Sequence, residues 1–237
     1  MLNITVSLLL SGLLLSDIRP IPSVDTEDQT QVQFNGFAKT TRYWDCCKPS
    51  CSWSANVHES KPVDSCQMNG VRRINNQAQS GCNGGPAFTC NNQQPWKVNN
   101  NLAYGFVAGS FKGGVDNSRC CTCYKLKFRN PRGKVMIVQV INTGGDLGHN
   151  HFDIQIPGGG VGVFNQGCHK QWNAPWDGWG KRYGGVGLER ECDQLPWQLR
   201  DGCKFRWRFL QGADNPDVDF EQVGCPNELV SRTNCKK

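Results

Sequence analysis

The sequence predicts an all-β-dominated domain: a small barrel with long disulfide-stapled loops and a few short helices. Three observations predict it. Stretches of strand length alternate apolar and polar residues, long glycine-rich segments connect them, and helix signals are few and brief. Fourteen cysteines among 237 residues supply the staples.

Taken in order, the chain opens on Val6–Leu15, an apolar run too short to span a bilayer. Residues 1–20 therefore read as a signal peptide, with cleavage expected between Ser16 and Ser23. Residues 21–33 are polar, acidic and proline-containing, and read as a disordered lead-in. Residues 34–237 are expected to form one domain. Its opening, Phe34–Trp53, is dense in aromatics, with Tyr43, Trp44 and Trp53 around Asp45 and three cysteines. Trp44 and Trp53 fit either core positions or ligand stacking.

The segment from Ser54 to Ala103 is loop-rich, with Gly81–Pro86 and Asn91–Gln94 as turns and Cys66, Cys82 and Cys90 as its staples. Tyr104–Ser110 reads as a short strand. In Cys123–Phe128, Tyr124, Leu126 and Phe128 take one face and Lys125 and Lys127 the other. Val135–Ile141 is apolar and β-branched, a buried strand. Short helices are expected at Arg190–Leu195 and Pro196–Asp201, the second started by Pro196 and stopped by Gly202. Phe205, Trp207 and Phe209 alternate with Arg206 and Arg208, a strand pattern, and Phe220–Val223 reads as a last strand.

The stretch Thr143–Gly162 organises the rest. Phe152, Ile154 and Ile156 alternate with His151, Asp153 and Gln155, so a strand buries the first set and turns Asp153 to the opposite face. Glycine-rich loops flank it on both sides, where backbone can approach a ligand closely.

Composition excludes several classes. The net charge of +6 is scattered along the chain, with no basic stripe, so nucleic acid is not an expected partner. No run beyond the signal reaches membrane-spanning length, so no membrane contact is expected of the mature chain, and nothing demands more than a monomer. The cysteine clusters lack zinc-ribbon spacing, and His149 and His151 have no evident third ligand, so no metal is expected. No dinucleotide or phosphate-binding motif implies a cofactor, and no Gly-x-Ser-x-Gly elbow implies a serine nucleophile.

Carboxylates remain. Glycoside hydrolysis needs two, one protonated to release the leaving oxygen and one acting from the other face of the sugar. Asp45 among aromatics and Asp153 beside Phe152 both have apolar neighbours that raise a carboxyl pKa. Asp146 sits on a loop able to close over substrate, though glycine neighbours also suit a plain turn residue.

These residues resemble a family. Thr41–Trp53, TRYWDCCKPSCSW, resembles the signature of glycoside hydrolase family 45, secreted endo-β-1,4-glucanases, and GGDLGHNHFDIQIPGGGVG resembles its second catalytic segment. The tail, RYGGVGLERECDQLP and ADNPDVDFEQVGCPNELVSRTNC, is similar too, so the likeness runs from Phe34 to Cys235. It implies a six-stranded double-psi β-barrel with an open groove for a β-glucan chain. It implies Asp45 as general base, Asp153 as general acid and Asp146 as an assisting loop residue. Thr41, Tyr43, Trp53 and His151 match substrate-binding or site-lining positions. The family inverts configuration, which calls for carboxyl groups ~6.5–9.5 Å apart with water between them. The family's bridge pattern implies 46–168, 47–82, 51–120, 66–90, 121–235, 123–225 and 192–203. The alternatives are a non-hydrolytic expansin-like wall-loosening or carbohydrate-binding protein, which lacks the base that Asp45 matches, and a disulfide-rich defence protein, which needs no paired aspartates.

Overall fold

The computed structural model describes residues 35–237. The expected signal peptide, the lead-in and Phe34 lie outside the described residues. The domain is built on strands β1 (Asn35–Tyr43), β5 (Leu102–Ser110), β6 (Cys123–Phe128), β7 (Val135–Asn142), β8 (His151–Gln155) and β9 (Val218–Val223). They follow the order β5-β7-β6-β9-β1-β8, and β8 pairs back onto β5, closing a six-stranded barrel. Two neighbouring pairs, β1–β8 and β5–β7, are parallel, and the others are antiparallel. Closure leaves the ring no free edge. Two-residue strands β2 (Ser65–Cys66) and β3 (Arg73–Ile74) pair with each other, and β4 (Trp96–Lys97) extends β5 outside the ring.

Alternation fixes which side chains fill the barrel. Tyr124, Leu126, Met136, Val138, Phe152 and Ile154 are fully buried in one cluster. Phe111, Tyr124, Phe152 and Phe220 meet there at centroid distances of 4.8–6.1 Å. Expected strands are found at β5, β6, β7, β8 and β9, with β5 starting two residues earlier than read, at Leu102, and β9 at Val218. The strand β1 was not foreseen.

The Phe205–Phe209 expectation is corrected. These residues lie in helix α2 (Trp197–Arg208) and its C-cap. Phe205 and Phe209, four apart, stack at 5.1 Å and join the barrel core. That spacing is one helix face as well as one strand face. Gly202 does not stop the helix. A side chain there would sit 2.1 Å from Gln94 Oε1, so glycine serves close packing of α2 against the Gln94 turn. The Arg190–Leu195 helix is a tighter 3₁₀ segment at Glu189–Gln194. Two further helices went unread, α1 (Gln166–Trp172) and α3 (Asn227–Thr233).

All seven bridges implied by the resemblance are present, and no described cysteine is free. Cys46–Cys168 ties the chain just past β1 to α1 and belongs to a second apolar cluster with Trp44, Val161 and Trp179. A bridge closing 122 residues contributes on the order of 2–5 kcal/mol.

The segment Lys181–Val186 is folded tightly onto the loop after β8. Gly185 has φ +70°, and a Cβ there would lie 1.7 Å from the Gly158 carbonyl oxygen. Gly184, at φ +96°, meets only the flexible Arg42 guanidinium at 3.5 Å. Gly185→Ala is therefore expected to lower stability by ~2 kcal/mol or more, and Gly184→Ala by only ~1 kcal/mol for the dihedral alone. Chemical denaturation of both variants checks this; equal losses contradict it.

Candidate active site

The parallel register of β1 against β8 assembles the site. Thr41 lies opposite Asp153, Tyr43 opposite Gln155 and Lys39 opposite His151. Because strands alternate, Thr41, Tyr43, His151, Asp153 and Gln155 share the face away from the buried Phe152 and Ile154. A cavity of about 730 Å³ opens beside this face. Thr41, Tyr43, Asp146, His151 and Asp153 line it, opposite Lys181–Val186.

Asp153 is held from one side. The Thr41 hydroxyl donates to its Oδ1 at 2.7 Å. That proton is then spent, so the 2.8 Å contact between Thr41 Oγ1 and His151 Nε2 requires Nε2–H to donate. His151 Nδ1 accepts from the Gly148 N–H at 3.3 Å. The imidazole is thus the neutral Nε2–H tautomer, and burial holds its pKa below the ordinary value. Burial pushes Asp153 up to about 7, against the Thr41 bond, with further upward pushes from Asp146 and Asp45. With Oδ1 occupied by a donor, the carboxyl proton belongs on Oδ2.

Asp45 sits two residues past the end of β1, partly buried, where Trp44 and the Cys46–Cys168 bridge pack behind it. Its Oδ1 accepts the Cys47 N–H at 2.9 Å. Burial raises it to about 6, partly opposed by that bond. Asp45 is not among the cavity's lining residues, whereas Tyr43, two positions before it at the end of β1, is. Asp146 lines the cavity from the β7–β8 loop, which is anchored by buried Leu147 and by the Gly114 N–H bond to the Leu147 carbonyl at 2.8 Å.

Trp53 lies outside the cavity lining. The Lys48 ammonium sits 3.3 Å from its ring centroid and also donates to the carbonyls of Asn76 and Ala78. Lys48 is buried, which pulls its pKa down to about 8. Trp44 is a core residue, 2% exposed.

Sequence reasoning missed several side chains here. Gln155 accepts the Tyr43 hydroxyl at 2.8 Å, and its place two residues after Asp153 on one strand face was a usable signal. Arg42, which lines the cavity, pairs with Asp214 and donates to Asn215 Oδ1 at 2.9 Å. Nothing local in the sequence couples residues 172 positions apart. Among the described residues no cluster of His, Cys, Asp or Glu is placed to hold a metal ion, so His149 and His151 form no such group.

Comparison with known proteins places the chain in a family. The family model for glycosyl hydrolase family 45 matches residues 37–236. An endoglucanase of Cryptopygus antarcticus is 52% identical over 203 residues, spanning 85% of this chain and 89% of that protein. An endoglucanase of Phaedon cochleariae is 50% identical over 204 residues, spanning 85% and 84%. The crystal structure of the cellulase from the Antarctic springtail Cryptopygus antarcticus superposes with a TM-score of 0.82 at 50% identity, covering 86% of this chain and 98% of that one. By sequence, barrel and bridges together, the chain belongs to glycosyl hydrolase family 45.

Proposed function

We propose that this glycoside hydrolase is a secreted endo-β-1,4-glucanase that cleaves internal bonds of cellulose and related β-glucans with inversion. Asp153 is the general acid and Asp45 the general base. The observation that carries the reading is a pair of carboxyls raised by burial, Asp45 two residues past Tyr43 and Asp153 across the β1–β8 pairing on the same face as Tyr43. Raised carboxyls suit both roles, and the match of Asp153 and Asp45 to the family's acid and base segments assigns which is which.

In the reaction, Asp153 Oδ2–H protonates the departing glycosidic oxygen, while Thr41 steadies Oδ1. Asp45, fixed through Oδ1 by the Cys47 N–H, takes a proton from water on its free Oδ2 side, and that water attacks the anomeric carbon. Asp146 adds negative charge that raises both carboxyls and closes the site's rim. Tyr43 and His151 complete the face that lines the cavity, and Trp53, outside that lining, is left to an outer sugar position. Seven bridges suit an oxidising, extracellular setting. The expansin-like alternative is not favoured, because both relatives described above are endoglucanases.

Asp45→Asn and Asp153→Asn should each lower reducing-sugar release on soluble β-glucan by ~10²–10⁴-fold, and Asp146→Asn by less. The same two substitutions should also stabilise the protein. A carboxyl whose folded pKa is raised loses stability as pH climbs from its unfolded value toward its folded one. Removing it should therefore gain on the order of 2 kcal/mol above pH about 7 and nothing near pH 4. Thermal melts at both pH values check the sign. Near-normal activity in either variant ends the assignment, and early-time proton NMR showing the retained anomer ends inversion.

The profile of kcat/KM against pH should be a narrow bell, rising as Asp45 ionises near 6 and falling as Asp153 ionises near 7. Initial rates across roughly pH 4–9 test it, and a flat profile over that span is incompatible with the pair.

Thr41→Val removes the donor to Oδ1 and should lower kcat about tenfold with little change in KM, whereas Thr41→Ser should retain most activity. A pure KM effect would place Thr41 in substrate binding alone.

A further inference from the structure

The Tyr43 hydroxyl carries a single proton, and Tyr43 lines the same cavity as Asp153, on the same face of the β1–β8 pair and one same-face position along from Thr41, the register partner of Asp153. Where that proton points is dictated by a chain of neutral groups anchored in the backbone at both ends. At one end the Ser50 N–H donates to Asn142 Oδ1 at 2.9 Å, so the Asn142 amide must present Nδ2 to the Tyr43 oxygen, at 3.2 Å. At the other end Gln155 Nε2 donates to the Gln93 carbonyl at 2.6 Å and to Thr89 Oγ1 at 3.2 Å. Thr89 in turn donates to Gln93 Oε1 at 2.9 Å, and Gln93 Nε2 donates to the Asp64 carbonyl at 2.7 Å. Gln155 can therefore only present Oε1 to Tyr43, an acceptor that demands the phenolic proton, at 2.8 Å. Gln93, Gln155 and Thr89 are all buried, so water cannot substitute for these partners.

We propose that Gln155 is a positioning residue for the hydrolysis: by taking the Tyr43 proton it prevents the phenol from donating to Asp153 or Asp45. The inference rests on those two carboxyls being the acid and the base. A donated O–H favours the ionised form of a carboxyl, so a phenol turned toward Asp153 would strip the acid of its proton at lower pH. The other charged or titratable groups acting on Asp153 are Asp45, Asp146 and Arg42, with neutral His151 reaching it through Thr41. None of them is altered by a change at Gln155.

The test compares Gln155→Met, Tyr43→Phe and the double variant, reading aspartate carboxyl ¹³C shifts across roughly pH 4–9 beside the profile of kcat/KM. In Gln155→Met the freed phenol should move one or both carboxyl titrations to lower pH by about half a unit or more. The double variant, having no hydroxyl to redirect, should return them. Tyr43→Phe alone should leave both titrations in place, because the native phenol donates elsewhere. Unmoved titrations in Gln155→Met, a shift that survives in the double variant, or a shift in Tyr43→Phe alone would each overturn the proposal. If Gln155→Met fails to fold, Gln155→Leu, which also lacks the acceptor, is read in its place. The catalytic assignment stands or falls separately, on the activity of Asp153→Asn.

Discussion

The parallel pairing of β1 with β8 is the constraint on which the site depends. A slip of one residue would turn Asp153 opposite a core-facing position and separate it from Thr41. Register is held because both strands bury their alternate residues in the barrel: Ala38 and Thr40 on β1, Phe152 and Ile154 on β8. Buried Thr40 fixes it further by donating to the Pro216 carbonyl at 2.6 Å. Barrel closure through β8 and β5 then holds the Asp153 backbone from its other side, opposite Ala108. Asp153 is positioned by a closed hydrogen-bonded ring, whereas Asp45 follows the end of β1 and Asp146 sits on the β7–β8 loop.

Burial does the chemical tuning and exacts a stability cost. Two aspartates pushed up by desolvation favour their neutral forms, so ionising either one at neutral pH works against the fold. The bridges lie where this cost is incurred. Cys46–Cys168 and Cys47–Cys82 begin one and two residues after Asp45. They hold the Asp45 segment against α1 and the Gly81–Asn83 turn, so the desolvated carboxyl sits on backbone that cannot easily relax.

The legibility of the sequence followed how cleanly burial alternates. β6 was readable to the residue because Tyr124, Leu126 and Phe128 point inward between outward lysines. β1 was not, because its core-side positions include Thr40 and Arg42 while the other face carries Lys39, Thr41 and Tyr43, so hydrophobic period gives little signal. Phe205–Phe209 misled because an i, i+4 aromatic pair fits either period, and the partly buried Trp207 packs with the second cluster instead of the barrel. The outward face of Asp153 was legible from alternation alone. The bridge pairing was legible only through family resemblance, since 14 cysteines leave the connectivity open. Asp214, paired with Arg42, was beyond reach because that contact is purely tertiary.

The polar groups that touch the two carboxyls are nearly all neutral: the Thr41 hydroxyl and the Cys47 N–H directly, with His151 behind Thr41. A cation in any of these places would hold its carboxylate ionised and remove the acid. Arg42 is the cation that acts on Asp153, and its pull is the weakest of the influences on that carboxyl. Its guanidinium is engaged by Asp214 and Asn215, with Arg206 also 3.5 Å from Asp214. An arginine on β1 that turned its guanidinium to Asp153 in place of Asp214 would draw that carboxyl toward its ionised form.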